Sequence, residues 1–263
     1  MSTKYELKGD VAVVTLDRPD RYNAIDASLS AALVGDLERA GEEARAVVLT
    51  GEGKAFCSGA DLAEISVEYE DGGSPDLAGH LDEEFHPVVK ALADCAVPTL
   101  AAVNGVAAGA GMGLALGCDL RVMDENAYIT SAFTAIGLTP DSGSTWLLPH
   151  HVGVSVALDL TLTNRRMSAD EALRLGLCLE IAPAGQSLEK ALDHAARLAD
   201  MPTDAMVTTR RLILGSARLS FIEALEREKN EQGRLGATAE HREGVTAFLE
   251  KRAADFRGVS RSS

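Results

Sequence analysis

The sequence predicts an α/β fold, with strands and helices alternating up to about residue 150 and helices taking over from there. Three observations carry that expectation. The runs Ala46–Thr50 and Pro98–Val103 are short, continuous and apolar, as expected of strands buried on both faces. Each is followed by a glycine-bearing turn and then by apolar residues at helical spacing. The second of these turns, Asn104-Gly-Val-Ala-Ala-Gly-Ala-Gly-Met-Gly113, is the most distinctive stretch of the chain.

Taken in order, Lys4–Leu7 and Val11–Leu16 read as hairpin strands with their corner at Lys8-Gly9-Asp10. Arg18-Pro19 ends the sheet pattern. Asp26 is placed as a helix N-cap, and Leu29, Leu33 and Leu37 follow at the spacing of one helix face. Strand, helix, strand in this order points to a right-handed crossover. Residues 66–76 are polar and carry Gly and Pro, which predicts a mobile loop over the site. Leu77–Cys95 returns to helical spacing, and Asp119–Met123 and Tyr128–Thr130 read as further short strands. Beyond residue 150 the strand signal mostly fades. Ser168-Ala-Asp-Glu171 reads as a capping box opening a helix that Gly176 ends. Leu188–Ala199, Pro202–Leu214, Phe221–Leu235 and His241–Arg252 read as helices.

At 263 residues the chain can bury one large core, and 46% hydrophobic with 25% charged residues is ordinary for a globular enzyme. A net charge of −15 argues against nucleic acid or an anionic membrane as the main partner. It also means that a polyanionic ligand needs local positive charge. The opening Met-Ser-Thr-Lys-Tyr-Glu-Leu-Lys lacks the apolar run of a secretory signal. The most apolar window, 98–120, is interrupted by five glycines, Asn104 and Asp119, which speaks against a membrane span. Cys57, Cys95, Cys118 and Cys178 lie far apart without a CxxC, so no metal or disulfide framework is expected and a reducing cytoplasm fits.

Glycines at 105, 109, 111 and 113 leave the second turn bare of side chains. A turn that ends at a helix start presents unpaired N–H groups, which favour an anion or a carbonyl becoming one. The spacing fits neither the dinucleotide fingerprint nor a P-loop. On spacing alone, a tight packing turn between strand and helix is an equal reading. A second stretch, Gly51-Glu-Gly-Lys-Ala-Phe-Cys-Ser-Gly-Ala-Asp-Leu-Ala-Glu-Ile65, lifts the functional one.

With Leu16-Asp-Arg-Pro-Asp-Arg-Tyr-Asn-Ala24 and Arg242-Glu-Gly-Val-Thr-Ala-Phe-Leu-Glu-Lys-Arg252, these stretches resemble the crotonase superfamily, the enoyl-CoA hydratase/isomerase family, over nearly the whole chain. The segment Gly137-Leu-Thr-Pro-Asp-Ser-Gly-Ser-Thr-Trp-Leu-Leu148 looks most like its 1,2-epoxyphenylacetyl-CoA isomerase branch. The resemblance implies a core spiral of ββα units over 1–195 and a C-terminal helical oligomerisation region over 196–263, assembling homotrimers that pair into hexamers. It implies a cytoplasmic enzyme with a coenzyme A thioester as substrate and no permanently bound cofactor. The N–H groups of Ala60 and Ala110 become the oxyanion donors. Neither position needs more than a small side chain, so each alanine alone reads first as packing, and the paired motifs reverse that order.

A hydratase of this family uses two glutamates, and their places here hold Gly113 and Phe133. Activation of water by two carboxylates is therefore unsupported. One acid remains, Asp141, fixed between Pro140 and Gly143. Read from the residues alone it caps the helix of Trp146-Leu147-Leu148. The isomerase-like segment implies instead a catalytic acid/base, in a pocket walled by Phe133, Leu138 and Trp146 that would raise its pKa. In the 4-chlorobenzoyl-CoA dehalogenase branch an Asp in this segment is a nucleophile, helped by an aromatic at the place of Phe133. For CoA, the resemblance implies a slot near Arg21–Ala24 and Ala60–Leu62, hence Arg21, Ala24, Ala60, Asp61 and Leu62. It adds Phe248 and Lys251 from a neighbouring subunit, two residues that an ordinary amphipathic helix also explains. Arg18, Arg21 and Lys54 are candidate phosphate contacts. Asp61 reads as a helix cap, Asp119 as structural, and Glu64 and Glu68 as solvent-facing. His150 and His151 are expected after the Trp146 helix, and His80 and His86 beside the loop.

The function expected is isomerisation of an aromatic-derived or unsaturated acyl-CoA. Hydration, dehalogenase-like hydrolysis and acyl-CoA binding without turnover are the alternatives.

Overall fold

The computed structural model describes residues 2–259. The hairpin forms as expected, β1 (Thr3–Lys8) pairing antiparallel with β2 (Val11–Leu16) from Thr3↔Leu16 to Lys8↔Val11. Asp26 caps α1 (Ala27–Glu43), its carboxylate accepting from the Leu29 N–H at 2.7 Å, and Leu29, Leu33, Leu37 and Ala40 are buried. β3 (Ala46–Gly51) then lies parallel to β2 and is buried throughout.

From here each turn of the chain gives one strand to each of two sheets. β3 is followed by β4 (Ala55–Cys57), β5 (Thr99–Val103) by β6 (Val106–Ala108), and β7 (Leu120–Asp124) by β8 (Tyr128–Thr130). The first members join a six-stranded sheet and the second a four-stranded sheet. Late in the chain β9 (Met167–Ser168) closes the small sheet and β10 (Glu180–Ala182) the large one, giving the orders β1-β2-β3-β5-β7-β10 and β4-β6-β8-β9. This is a spiral of ββα units.

The three-residue strands β4 and β6 lie inside what the sequence offers only as glycine turns, because so short a run carries no periodicity. β10 extends the large sheet well past the point where the strand signal fades. It pairs parallel with β7, which supplies the regularity its own three residues do not.

The large sheet is covered on both faces, and strict alternation sorts its side chains. Val47, Leu49, Ala101 and Val103 enter the main core with Leu29, Leu33 and Leu37 of α1. Ala46, Val48, Leu100 and Ala102 face the other way, onto Ala191, Ala195 and Ala199 of α9 (Ser187–Ala199). Alanine at every fourth residue of α9 lets the helix sit close on the sheet.

Between β4 and β5 run α2 (Leu62–Val67), a 3-10 turn (Glu70–Gly72), α3 (Leu77–His80), a π-helical segment (Leu81–Phe85) and α4 (His86–Asp94). The loop expected over 66–76 is thus partly helical. Asp61 and Asp76 cap its helices, accepting from the N–H groups of Ala63 and Gly79, and the Asp76 N–H bonds Glu68 at 3.3 Å. The π segment precedes Pro87, which lacks the N–H that would continue a regular ladder.

α5 (Ala110–Gly117), α6 (Ser144–Val152), α7 (Val154–Thr163) and α8 (Ala169–Arg174) complete the core, and α10 (Thr203–Ser216), α11 (Phe221–Leu235) and α12 (Ala239–Glu250) follow α9. His150 and His151 fall inside the last turn of α6 rather than after it. The capping box expected at α8 is only half made. Ser168 accepts from the Glu171 N–H, while the Glu171 carboxylate binds Arg165 at 2.8 Å. The reciprocal box forms at α11, between Ser220 and Glu223. Among the described residues no helix is long and apolar enough to cross a membrane, and the four cysteines are buried and unbridged.

Two buried arginines tie helix ends to the sheet. Arg45 donates to the Ala199 carbonyl at 2.7 Å and to that of Met201 at 2.9 Å, closing the end of α9. Arg121, only 4% exposed, donates to the carbonyls of Leu177 and Cys118 at 2.6 Å and more loosely to those of Ala115, Leu116 and Asp119. Carbonyls at a helix C-terminus have no partner within the helix, and the guanidinium supplies it. Replacing Arg121 by Met keeps much of the volume but strands these carbonyls in the core. Arg121→Met should cost on the order of 3 kcal/mol and lower Tm by roughly 6–12 °C, read by thermal unfolding; an unchanged Tm would deny the guanidinium this role.

Candidate active site

The site is assembled where the two glycine-bearing turns touch. Gly59, at φ 97°, lies against the second turn: a Cβ there would come within 2.9 Å of the Ala108 carbonyl oxygen and 3.3 Å of the Ala110 nitrogen. A Cβ on Gly111 would fall 2.1 Å from the Cys57 carbonyl oxygen. The turns therefore meet backbone to backbone, and only glycine permits that approach.

Two asparagines fix the first turn from behind. Buried Asn23 donates to the carbonyls of Ala55 (2.8 Å) and Glu52 (3.0 Å) and accepts from the Arg18 N–H. Asn104 accepts from the Gly51 N–H at 3.2 Å and donates to the Gly53 carbonyl at 3.1 Å.

The orientation of the Ala60 amide follows from its pairing. Ile25 forms a parallel bridge with Ala60, donating to the Gly59 carbonyl and accepting from the Asp61 N–H. In that geometry the N–H of Ala60 itself points away from Ile25. Ala110 is the first residue of α5, so its N–H has no partner within the helix. Neither amide donates a hydrogen bond among the described residues. Both lie at the contact of the two turns, and Ala110 adds the positive end of the α5 dipole.

Asp141 arrives on the loop before α6. It does not cap that helix, as the residues alone suggest: Gly143 stands at the N-cap and no side chain caps it. The Asp141 carbonyl closes the turn by accepting from the Ser144 N–H at 2.8 Å, and Oδ1 accepts from the Ser142 hydroxyl at 2.8 Å. Burial pushes the carboxyl above the ordinary aspartate range, against the pull of the Ser142 hydroxyl and of His86. The loop rests on the first turn of α5, since a Cβ on Gly113 would meet the Ser142 carbonyl oxygen at 2.7 Å and the Ser144 hydroxyl at 3.3 Å.

The other expected residues sort unevenly. Phe133 is buried with its ring tip 3.8 Å from where a Gly109 Cβ would stand, so it borders the second turn. Leu138 is tied to it through the backbone, its N–H bonding the Phe133 carbonyl at 3.0 Å. Trp146 stacks on His150, one turn along α6, with ring centroids 4.1 Å apart. The Ile25–Ala60 bridge sets Arg21–Ala24 beside Ala60–Leu62. Arg21, Leu62 and Lys54 are exposed and Ala24 is buried. Arg18 is not available as a phosphate contact. Its guanidinium holds Asp26 and Asp61 at 3.0 Å each and the Ala24 carbonyl at 2.5 Å. Asp61, as expected, caps α2. Asp119 is structural, accepting from the Thr99 N–H and from Arg210. Glu64 is exposed, but Glu68 is not left to solvent. It grips His80 at 2.5 Å, and with Glu84 on the other ring nitrogen at 2.8 Å the imidazole is raised to about 8, Glu84 contributing most. Phe248 and Lys251 are exposed on and just after α12.

A family model described as enoyl-CoA hydratase/isomerase matches residues 6–259. The chain belongs to the enoyl-CoA hydratase/isomerase family. It is 42% identical to a Rhodobacter capsulatus protein named as a probable enoyl-CoA hydratase, with 97% of each chain covered. It is 36% identical to the 1,2-epoxyphenylacetyl-CoA isomerase of Escherichia coli over 94% of this chain and 95% of that one. The crystal structure of a Mycobacterium abscessus protein assigned to the same hydratase/isomerase class superposes with a TM-score of 0.90 at 37% identity, covering 98% of this chain and 100% of the other. The spiral of ββα units is the fold of this crotonase-like family.

Sequence reasoning on the family's motifs missed Asn23, Asn104 and Ser142. The asparagines lay within quoted motifs and are polar residues beside buried strands, which is a signal for a turn-fixing role. Ser142 is masked by standing next to the more obvious acid.

The raised carboxyl of Asp141 makes a stability claim with a definite sign. A folded pKa above the unfolded one contributes stability that is full below the ordinary aspartate value of about 3.9 and is lost as pH rises through the folded value. Above that, the site holds a charge that burial disfavours. Asp141→Asn keeps an acceptor for Ser142 and removes the charge. It should unfold at higher denaturant concentration than wild type at pH 7, with the gain vanishing towards pH 3; a variant less stable at pH 7 would contradict the burial argument.

Proposed function

We propose that this family member is an acyl-CoA isomerase, shifting a double bond or rearranging an epoxide-type ring, with Asp141 as the single acid/base. The observation that carries the reading is that Asp141 is a carboxylate with its pKa raised by burial, on a loop resting against α5, where both hydratase glutamate positions hold non-acidic residues, Gly113 and Phe133.

In this mechanism the thioester carbonyl lies between the Ala60 and Ala110 amides. Asp141 removes a proton from the α-carbon of a 3-enoyl thioester. The electron pair of that C–H bond moves into the carbonyl, giving a dienolate whose oxyanion the two amides hold. Each well-aimed donor is worth about 3–4 kcal/mol. Asp141 then returns the proton at the γ-carbon, and the double bond ends conjugated with the thioester. A carboxyl whose pKa lies nearer to working pH both accepts and returns the proton more readily than an ordinary one. Phe133 and Leu138 supply an apolar wall, with Trp146 in the first turn of α6. The CoA portion is assigned to Arg21, Ala24, Ala60, Asp61 and Leu62, with Arg21 and Lys54 as the cations near its phosphates. Asp61 belongs to the slot by position, its carboxylate holding Arg18 and capping α2 and its N–H bonded to the Ile25 carbonyl.

The Rhodobacter relative's name favours a hydratase as the second reading. Incubating wild type and Asp141→Asn with 3-enoyl-CoA and 2-enoyl-CoA in deuterium oxide, followed by mass spectrometry, decides between them. Wild type should move the double bond and take up label, and Asp141→Asn should lose both while still binding the thioester. Exchange retained in the variant removes Asp141 from the chemistry, and addition of water by wild type establishes hydration instead.

The helices from 196 onward are proposed to assemble homotrimers, alone or as dimers of trimers, with Phe248 and Lys251 reaching a neighbour's CoA. Phe221 is 75% and Phe248 82% exposed in the single chain, as are Ile213, Ile222 and Leu249 in large part. Leaving this much apolar surface wet is unusual for a monomer. Sedimentation equilibrium at micromolar protein should give three or six chains; a monomer would remove the assignment.

A further inference from the structure

We propose that Ser142 is the positioning residue of the Asp141 carboxylate: its buried hydroxyl engages Oδ1 and leaves Oδ2 as the oxygen that exchanges a proton with the substrate. The inference rests on the acid/base reading of Asp141 and assigns a further residue to it.

Four features of Ser142 point the same way. It is 1% exposed, so its hydroxyl has no water to bond and must find a partner inside the protein. The partner is Oδ1 of its own neighbour, at 2.8 Å. Oδ2 accepts no hydrogen bond among the described residues. The Ser142 backbone stands at φ 49°, a left-handed conformation that strains a residue with a Cβ relative to glycine. A position that pays this strain without using the side chain would be better filled by glycine, as it is at the next residue, Gly143, also left-handed.

Packing holds the arrangement in place. The Ser142 carbonyl oxygen and Cβ would lie 2.7 and 2.8 Å from a Cβ on Gly113, so Ser142 fills the room that this missing side chain leaves. The turn is closed by the Asp141 carbonyl, which accepts from the Ser144 N–H at 2.8 Å. A hydroxyl donor favours the charged carboxylate, opposing the burial that favours the neutral acid. The titratable group bearing on Asp141 from a neighbouring element is His86, at the start of α4, itself bonded to Asp82 at 3.2 Å.

Ser142→Gly separates the hydroxyl from the backbone, because it removes the first and relaxes the second. Ser142→Ala removes the hydroxyl and keeps the strain. Two readouts are used: deuterium exchange into 3-hexenoyl-CoA as a function of pH, and titration of the Asp141 carboxyl carbon by 13C NMR, assigned as the signal missing from Asp141→Asn. Both variants should show the carboxyl titration and the acid limb of exchange displaced to higher pH, with the maximal rate down roughly five- to tenfold and KM unchanged. Repeating the series in His86→Gln keeps titration of that imidazole from being mistaken for the shift. If Asp141→Asn abolishes exchange but Ser142→Gly leaves midpoint and rate at wild-type values, the positioning role is overturned while Asp141 stands. If Asp141→Asn itself retains exchange, the acid/base reading fails, and this inference with it.

Discussion

The contact on which the site depends is backbone against backbone, where Gly59 meets Ala108 and Ala110, and Gly111 meets the Cys57 carbonyl. Side chains adjust to their surroundings, whereas two peptide groups at van der Waals distance have little room to move. That contact sets the separation of the Ala60 and Ala110 amides without any functional side chain. Asn23 and Asn104 brace the first turn by hydrogen bonds, and the β6 strand leads the second into α5.

The large sheet provides the rigidity behind this contact. Its strands are buried on both faces, and the helix ends that lean on it are closed by guanidinium groups. Arg45 also approaches Glu240, whose carboxylate accepts from the N–H groups of Thr203 and Asp204. One buried acid and one buried base therefore join the end of α9, the start of α10 and the start of α12. The C-terminal helices are thereby anchored to the sheet through a polar junction, leaving their apolar faces outward.

Much of this was legible from residue pattern. The Asp26 cap, the one-sided leucines of α1 and the continuous apolar runs of β3 and β5 each depend on local chemistry, and each formed as expected. The three-residue strands β4, β6 and β10 were not legible, because a strand that short owes its conformation to its neighbours in the sheet. The half-made box at Ser168 shows the same limit from another side: the local motif was right, but Arg165 offered Glu171 a stronger, charged partner. At the site, the glycine turns and Asp141 stood out. The roles of Arg18 and Glu68 did not, because a charged side chain gives no sign in sequence of whether its partner is solvent, a ligand or another residue of the chain.

The space beside Gly113 has an evolutionary consequence. Placing a glutamate there takes a single base change from the glycine codons GGA and GGG, yet the protein-level step is larger, because the new Cβ would overlap the backbone of Ser142. The loop that carries Asp141 would have to retreat before the side chain could enter. A glutamate at 113 and the Asp141 loop in its present place therefore exclude each other unless backbone and side chain change together.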